Sequence, residues 1–372
     1  MDLGFFLQEI GKGFGHFTWG NVVMITVGLV LISLAIFKEY EPVLLLPIGF
    51  GCLMANLGMS SEVGFMKVIY DAGIKTELFP LLIFVGVGAM IDFSPLLSQP
   101  SLVLLGAAGQ FGIYGTLLLA LLLKFPLPQA ASIGVIGAID GPTAIFVGSK
   151  LAPELLAPIA VAAYSYMSLI PIIQPPIMRL MTTRKERLIR MEYSPKPVSR
   201  LTKILFPIIV TVLVSLIAPD AAPLIAALML GNLLREALVV DRLSKSAQNE
   251  IINIATLFLG LAIGSTMTAS SFLNWQTIMI LALGLLAFVL DTVAGLLFGK
   301  LMKVITKGKV NPLIGACGIS AFPMAGRLAA KMAQDEDFEN FILMHAMGAN
   351  TAGQLGSVIA GGLLLALVNA LG

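Results

Sequence analysis

Long uncharged runs constrain this chain more than any other feature. Asn21–Phe37, Ser101–Leu123 and Ile204–Ala218 carry no charged side chain, and Trp275–Gly299 carries only Asp291. A helix of about 20 apolar residues crosses the roughly 30 Å hydrocarbon core of a bilayer. In lipid, backbone polar groups must be satisfied within the protein, which favours helices. Only 12% of the 372 residues are charged and 58% are hydrophobic, whereas a soluble domain carries about 25% charged residues. The expected fold is an all-α integral membrane protein. Its length suits about ten transmembrane segments, with no room left for a separate soluble domain. A net charge of +2 implies no nucleic-acid partner.

Against this apolar background Asp140 is the only charged side chain from Phe125 to Ser149. A carboxylate at bilayer depth costs roughly 2.5–3.5 kcal/mol on insertion scales. Gly141 and Pro142 follow it and break a helix. Freed backbone groups at that depth are tolerated only where protein or a wet cavity satisfies them. Two roles fit Asp140 on the local sequence: it caps the half-helix that begins at Gly141, or it joins freed carbonyls in a cation site.

The broken segment has a counterpart. Ile133–Lys150 (IGVIGAIDGPTAIFVGSK) aligns without gaps to Ile314–Lys331 (IGACGISAFPMAGRLAAK), sharing Ile133/Ile314, Gly134/Gly315, Gly137/Gly318, Pro142/Pro323, Ala144/Ala325 and Lys150/Lys331. LPIGFGCLMANL, ending at Leu57, matches APLIAALMLGNLL at Pro223, Asn232 and Leu233. GAMIDFSPLL from Gly88 matches GSTMTASSFL from Gly264 at the same interval. Three matches in one order indicate an internal repeat.

Charge orients the halves. Arg179–Lys203 holds eight Lys or Arg and is expected to be cytoplasmic, lying on the anionic inner leaflet or a partner subunit. Loops with Arg235, Arg242 and Lys245, and with Lys300, Lys303, Lys307 and Lys309, fall on the same side. The matching first-half loops offer only Lys67, Lys75 and Lys124. That asymmetry predicts two inverted repeats with broken or re-entrant helices, an architecture of secondary transporters with the site near the midplane. Leu78–Ile91 and Ile251–Met267 are short enough to be hairpins rather than spans. The expected division is an interfacial segment 1–20, a first membrane repeat 21–180, a basic linker 181–203 and a second repeat 204–372. The N-terminus lacks the basic region and small-residue cleavage site of a signal peptide.

The second broken segment has no acid but offers Asn311, Ser320 and Arg327. Tyr164 and Tyr166 follow the first break; Asn350, Thr351, Gln354 and Ser357 follow the second. Carboxylate, amide, hydroxyl and carbonyl oxygens suit a hard monovalent cation that has shed water. Arg327 fits two readings equally: it binds an anionic substrate, or it neutralises Asp140. Asp291, in FVLDTVAG, must face protein or water; Asp92 fits a helix cap. Cys52, Cys317, His16 and His345 are too sparse for a disulfide framework or zinc site.

IDGPTAIF, AAYSYMSLIPIIQPP, NPLIGACGISAFPMAGR and GANTAGQLGS resemble the beta subunit of the sodium-translocating biotin-dependent decarboxylases, the oxaloacetate, glutaconyl-CoA and methylmalonyl-CoA decarboxylase pumps. The resemblance covers essentially the whole chain. It implies a membrane subunit that decarboxylates carboxybiotin, consumes a proton and exports Na+. It also implies a carboxyltransferase and biotin-carrier alpha subunit, a small single-span gamma (or delta-type) subunit, an oligomeric assembly, and the cytoplasmic membrane of a bacterium or archaeon. The family's essential aspartate falls on Asp140, its functional tyrosines on Tyr164 and Tyr166, and its other polar positions on Asn311, Gly315, Ser320, Arg327 and Asn350. The roles implied are catalytic for Asp140, Tyr166 and Arg327. Arg327, Asn311 and Tyr164 would bind carboxybiotin. Asp140, Asn350, Ser320, Asn311 and Gly315 would hold Na+. A secondary sodium-coupled carboxylate transporter would use the same hydropathy, repeats and Arg327.

Overall fold

A computed structural model describes residues 17–192 and 197–371. The expected interfacial segment lies almost entirely outside them. Among the described residues every regular element is helical. In chain order these are α1 (Trp19–Phe37), α2 (Pro42–Asn56), α3 (Gly64–Tyr70), α4 (Leu78–Met90), α5 (Val103–Ala108), α6 (Phe111–Leu122), α7 (Leu127–Gly134), α8 (Gly141–Leu151), α9 (Leu156–Met181), α10 (Arg184–Arg187), α11 (Arg200–Ile217), α12 (Ala222–Ala237), α13 (Asp241–Ser246), α14 (Ile252–Gly264), α15 (Trp275–Ile305), α16 (Met324–Glu336) and α17 (Leu343–Leu371). Short helical turns occupy Ser94–Ser98 and Ala269–Phe272.

Among the described residues seven helical stretches are long and apolar enough to cross a membrane, and an eighth is the pair Gly64–Lys75 and Leu78–Met90, bent by 58°. The expectation of about ten was approximate because α2 has only 15 residues and α12 only 16. At 1.5 Å per residue each reaches about 23 Å, short of the roughly 30 Å hydrocarbon core. Ile251–Met267, expected as a possible hairpin, instead forms most of the span Asp241–Gly264.

The repeat is visible in the packing. α2 lies against α1 and α14, and α12 lies against α4 and α11. Asn56, near the end of α2, donates its side-chain amide to the carbonyl of Met267 at 2.8 Å. Asn232, its counterpart in α12, donates to the carbonyl of Ile91, the counterpart of Met267, at 3.0 Å. Each half thus completes a buried bond in the other. Both halves also carry a π-helical turn at matching positions, Asp71–Lys75 and Ala247–Ile251.

Two large apolar cores result. One gathers α1, α2, α14 and part of α4, and takes Ile145 and Tyr164 from α8 and α9. The other surrounds both broken segments and α12, α15 and α17. A small cluster of Ile139, Ile319, Ala321 and Ala325 with Ile170 and Phe288 marks where the two breaks meet.

Residues 182–190 of the linker are clamped to their own chain. Arg187 pairs with Glu336 at 2.6 Å and Arg190 with Asp337 at 2.6 Å. Glu186 pairs with Lys303 at 3.0 Å and Lys300 at 3.5 Å. Burial alone would raise Glu186, but hydrogen bonds from Thr183 and Lys303 and the charge of Lys300 outweigh it and hold its carboxyl at about 2.

Candidate functional site

The first break is built by backbone. A 3-10 turn, Val135–Ala138, ends in Ile139, a β-branched residue in the left-handed region (φ 51°, ψ 42°). Such a residue costs about 1–3 kcal/mol and persists only where its surroundings hold it. Asp140 then extends (φ −132°, ψ 98°) and caps α8. The capping reading is realised, but capping uses only part of the carboxylate. Oδ1 accepts from the N–H of Thr143 at 3.4 Å. Oδ2 accepts from Thr143 Oγ1 at 2.8 Å, Gln354 Nε2 at 2.9 Å and Ser357 Oγ at 3.0 Å. Asp140 is 5% exposed, and all its partners are neutral. Four donors around two oxygens suit an ionised acid.

The second break crosses the first. Asn311 opens a 3-10 turn, Pro312–Cys317, and α16 resumes at Met324. Ser320 Oγ donates to the carbonyl of Ala138, two residues before Asp140. Asn350 Nδ2 donates to the carbonyl of Ile319 at 2.7 Å, and its buried Oδ1 has no partner. Asp140, Ser320 and Asn350 are therefore brought to one crossing. Asn350 Oδ1 and the lightly used Asp140 Oδ1 are oxygens with capacity to spare for a cation. Among the described residues no three His, Cys, Asp or Glu side chains converge as a metal cluster.

Arg327 does not pair with Asp140. It is exposed, one turn into α16, with no ion-pair partner among the described residues. α16 runs from the break to Glu336, which the linker holds. Arg327 therefore lies on the linker side of the crossing.

Four other expected site residues are placed apart from these oxygens or turned elsewhere. Asn311 Oδ1 caps Leu313 N at 3.0 Å, and its Nδ2 donates to the carbonyls of Arg187 and Ile189. Its polar capacity ties the linker to the second break. Gly315 meets Gly295 of α15 so closely that an added Cβ would stand 2.1 Å from the Gly295 carbonyl oxygen. Tyr166 donates its hydroxyl to the carbonyl of Leu281 in α15. Tyr164 lies closer to the acid: its ring covers Gly141, where a Cβ would stand 2.1 Å from it, and its buried hydroxyl has no partner.

Gln354 and Ser357, two of the polar positions after the second break, bond Asp140 directly, and so does Thr143, which the sequence does not single out. Asn350, Gln354 and Ser357 recur at i, i+4 and i+7, which places them on one helical face.

A model of the Na+-transporting oxaloacetate decarboxylase beta subunit matches residues 20–368. The chain is 52% identical over 360 residues to glutaconyl-CoA decarboxylase subunit beta of Acidaminococcus fermentans, covering 96% of each. It is 52% identical over 359 residues to methylmalonyl-CoA decarboxylase subunit beta of Veillonella parvula, again covering 96% of each. To the oxaloacetate decarboxylase beta chain of Klebsiella pneumoniae it is 46% identical over 425 aligned positions, covering 97% of this chain and 98% of the relative.

Proposed function

The chain belongs to the family of Na+-transporting oxaloacetate decarboxylase beta subunits, and we propose that it is the membrane subunit of a primary sodium pump that decarboxylates carboxybiotin, consumes a proton and exports Na+. The observation that carries this reading is the crossing of the two breaks. Asp140 is buried there among neutral donors, and Arg327 stands on the side of the basic linker with no ion-pair partner among the described residues.

Carboxybiotin, brought by the carrier domain of an alpha subunit, supplies the carboxylate whose loss as CO2 releases the free energy. Arg327 suits that carboxylate: its planar fork offers two parallel N–H bonds and stays charged. Na+ is the cargo. Asp140 and Asn350 Oδ1 would hold it, with Ser320 fixing the Ala138 carbonyl beside them. Asn311 and Gly315 would act by holding the second break to the linker and to α15.

Asp140 can exchange its cargo for a proton. The hydroxyls of Thr143 and Ser357 donate to the carboxylate, and they can rotate to accept from the protonated acid. Sodium release and proton uptake then become one exchange at one residue. Tyr166 serves as a donor only after giving up its bond to the Leu281 carbonyl. Tyr164, with its unpartnered hydroxyl beside Gly141, is the nearer tyrosine to Asp140. A small single-span gamma-type subunit, an oligomeric assembly and the cytoplasmic membrane of a bacterium or archaeon complete the proposal.

The test is Asp140→Asn in the assembled complex in proteoliposomes. Loss of sodium-dependent carboxybiotin decarboxylation by about 100-fold or more is expected. Full turnover with full sodium uptake in that variant would overturn the assignment.

A further inference from the structure

Asp291, buried deep in the helical bundle, takes no part in the mechanism at Asp140. Asp291 lies midway along α15 and is 0% exposed. Its Oδ1 accepts from the backbone N–H of Gly112, the second residue of α6. That N–H belongs to the first turn of a helix and has no partner within it, so α15 caps α6 from outside. Asp291 Oδ2 has no partner. Thr116, one turn further along α6, is also fully buried with its hydroxyl unpartnered.

The elements packed against α15 are α5, α6, α7, α9 and the two 3-10 turns. Their titratable groups are Tyr114, Tyr164, Tyr166, Arg179 and Cys317. None is hydrogen-bonded or ion-paired to Asp291 among the described residues. A carboxylate with a single neutral donor and no counter-charge, at bilayer depth, gives up its charge by binding a proton or a cation. A desolvated cation needs several oxygens. Here α6 and α15 offer two buried unpartnered ones, Asp291 Oδ2 and Thr116 Oγ1.

We propose that Asp291 is a proton-binding site, carried as a neutral carboxylic acid in the working protein and taking no sodium. The contrast with Asp140 assigns the two acids. Four donors surround the carboxylate at the crossing, and one meets the carboxyl on α15. Of the two buried acids, the one on α15 therefore has much the smaller compensation for carrying charge. In the neutral form the acid still accepts the Gly112 N–H. The inference concerns the protonation of Asp291 alone and stands whatever reaction is assigned to the crossing at Asp140.

Infrared difference spectroscopy of the intact protein in lipid vesicles at neutral pH tests it. The wild-type spectrum minus that of Asp291→Asn, which keeps the Oδ1 acceptor, should show loss of a protonated-carboxyl C=O band that shifts in D2O. A carboxylate band lost in its place would overturn the proposal. In the assembled pump, Asp291→Asn should leave the sodium concentration for half-maximal decarboxylation within about twofold of wild type. A rise of about tenfold or more would make Asp291 a sodium ligand and sink the proposal. If Asp291→Asn fails to insert, wild-type protein carrying 13C-aspartate gives the same reading. A 13C-shifted protonated-carboxyl band that persists in Asp140→Asn supports it, and carboxylate bands alone refute it.

Discussion

Gln354 donates its side-chain amide to Asp140 Oδ2 across 2.9 Å, joining α17 to the cap of α8. The bond ties the broken segment that holds the acid to the helix that follows the other broken segment. Replacing Gln354 by Leu removes one of four donors from a buried carboxylate. A hydrogen bond to a charged group contributes about 1.5–3 kcal/mol. We expect the sodium concentration for half-maximal decarboxylation to rise about tenfold or more. An unchanged sodium requirement in Gln354→Leu would show that this amide does not tune the acid.

Asn56→Ala and Asn232→Ala should behave as a pair. Each exposes one buried carbonyl in the opposite half, Met267 or Ile91, and each should cost about 1–3 kcal/mol. Thermal unfolding in detergent measures both. Similar losses are expected because the two bonds are geometric counterparts. A large loss at one and none at the other would argue against equivalent roles for the halves.

Gly315→Ala places a Cβ 2.1 Å from the carbonyl oxygen of Gly295. Backbone cannot yield as a flexible side chain does, so α15 and the second break must part. Overpacking of this kind costs about 1–3 kcal/mol. The expected outcome is a lowered melting temperature together with reduced turnover. Wild-type stability with lost sodium dependence would instead point to a carbonyl at Gly315 that ligates the cation.

The linker clamp has a defined pH response. Glu186 sits at about 2 in the folded chain against an ordinary 4.5. Its depressed value means that its contribution is complete above the ordinary value and fades as pH falls from there toward 2. Amide exchange protection in residues 182–190, measured against the intrinsic rate at each pH, should hold from neutral pH to about 5 and fall below about 4. Glu186→Gln should raise exchange there at neutral pH by releasing Lys300 and Lys303. Exchange in that variant identical to wild type would assign the clamp to the Arg187 and Arg190 pairs alone.

The sequence by itself determined the membrane class, the break at Asp140 and the pairing of two broken segments. Each of these is local: a charge-free run, a Gly-Pro beside an acid, an aligned pair of glycines and prolines. It also placed Asn350, Gln354 and Ser357 on one face, because helical spacing is a property of the chain. Long-range choices belonged to the tertiary structure. Arg327 and Asp140 were equally fit to pair or to stay apart, since both carry one charge and sit in matching segments. The fold separated them by surrounding the acid with Thr143, Gln354 and Ser357. Asn311 had the chemistry of a cation ligand, and packing spent its amide on the linker carbonyls. The linker's basic charge is read from the sequence, but that Arg187 and Arg190 reach the acids at the end of α16 is not. Hydrogen-bond donors and charges can be counted from a sequence. Which acceptor each one reaches depends on which helices touch, and that is decided by packing across the whole chain.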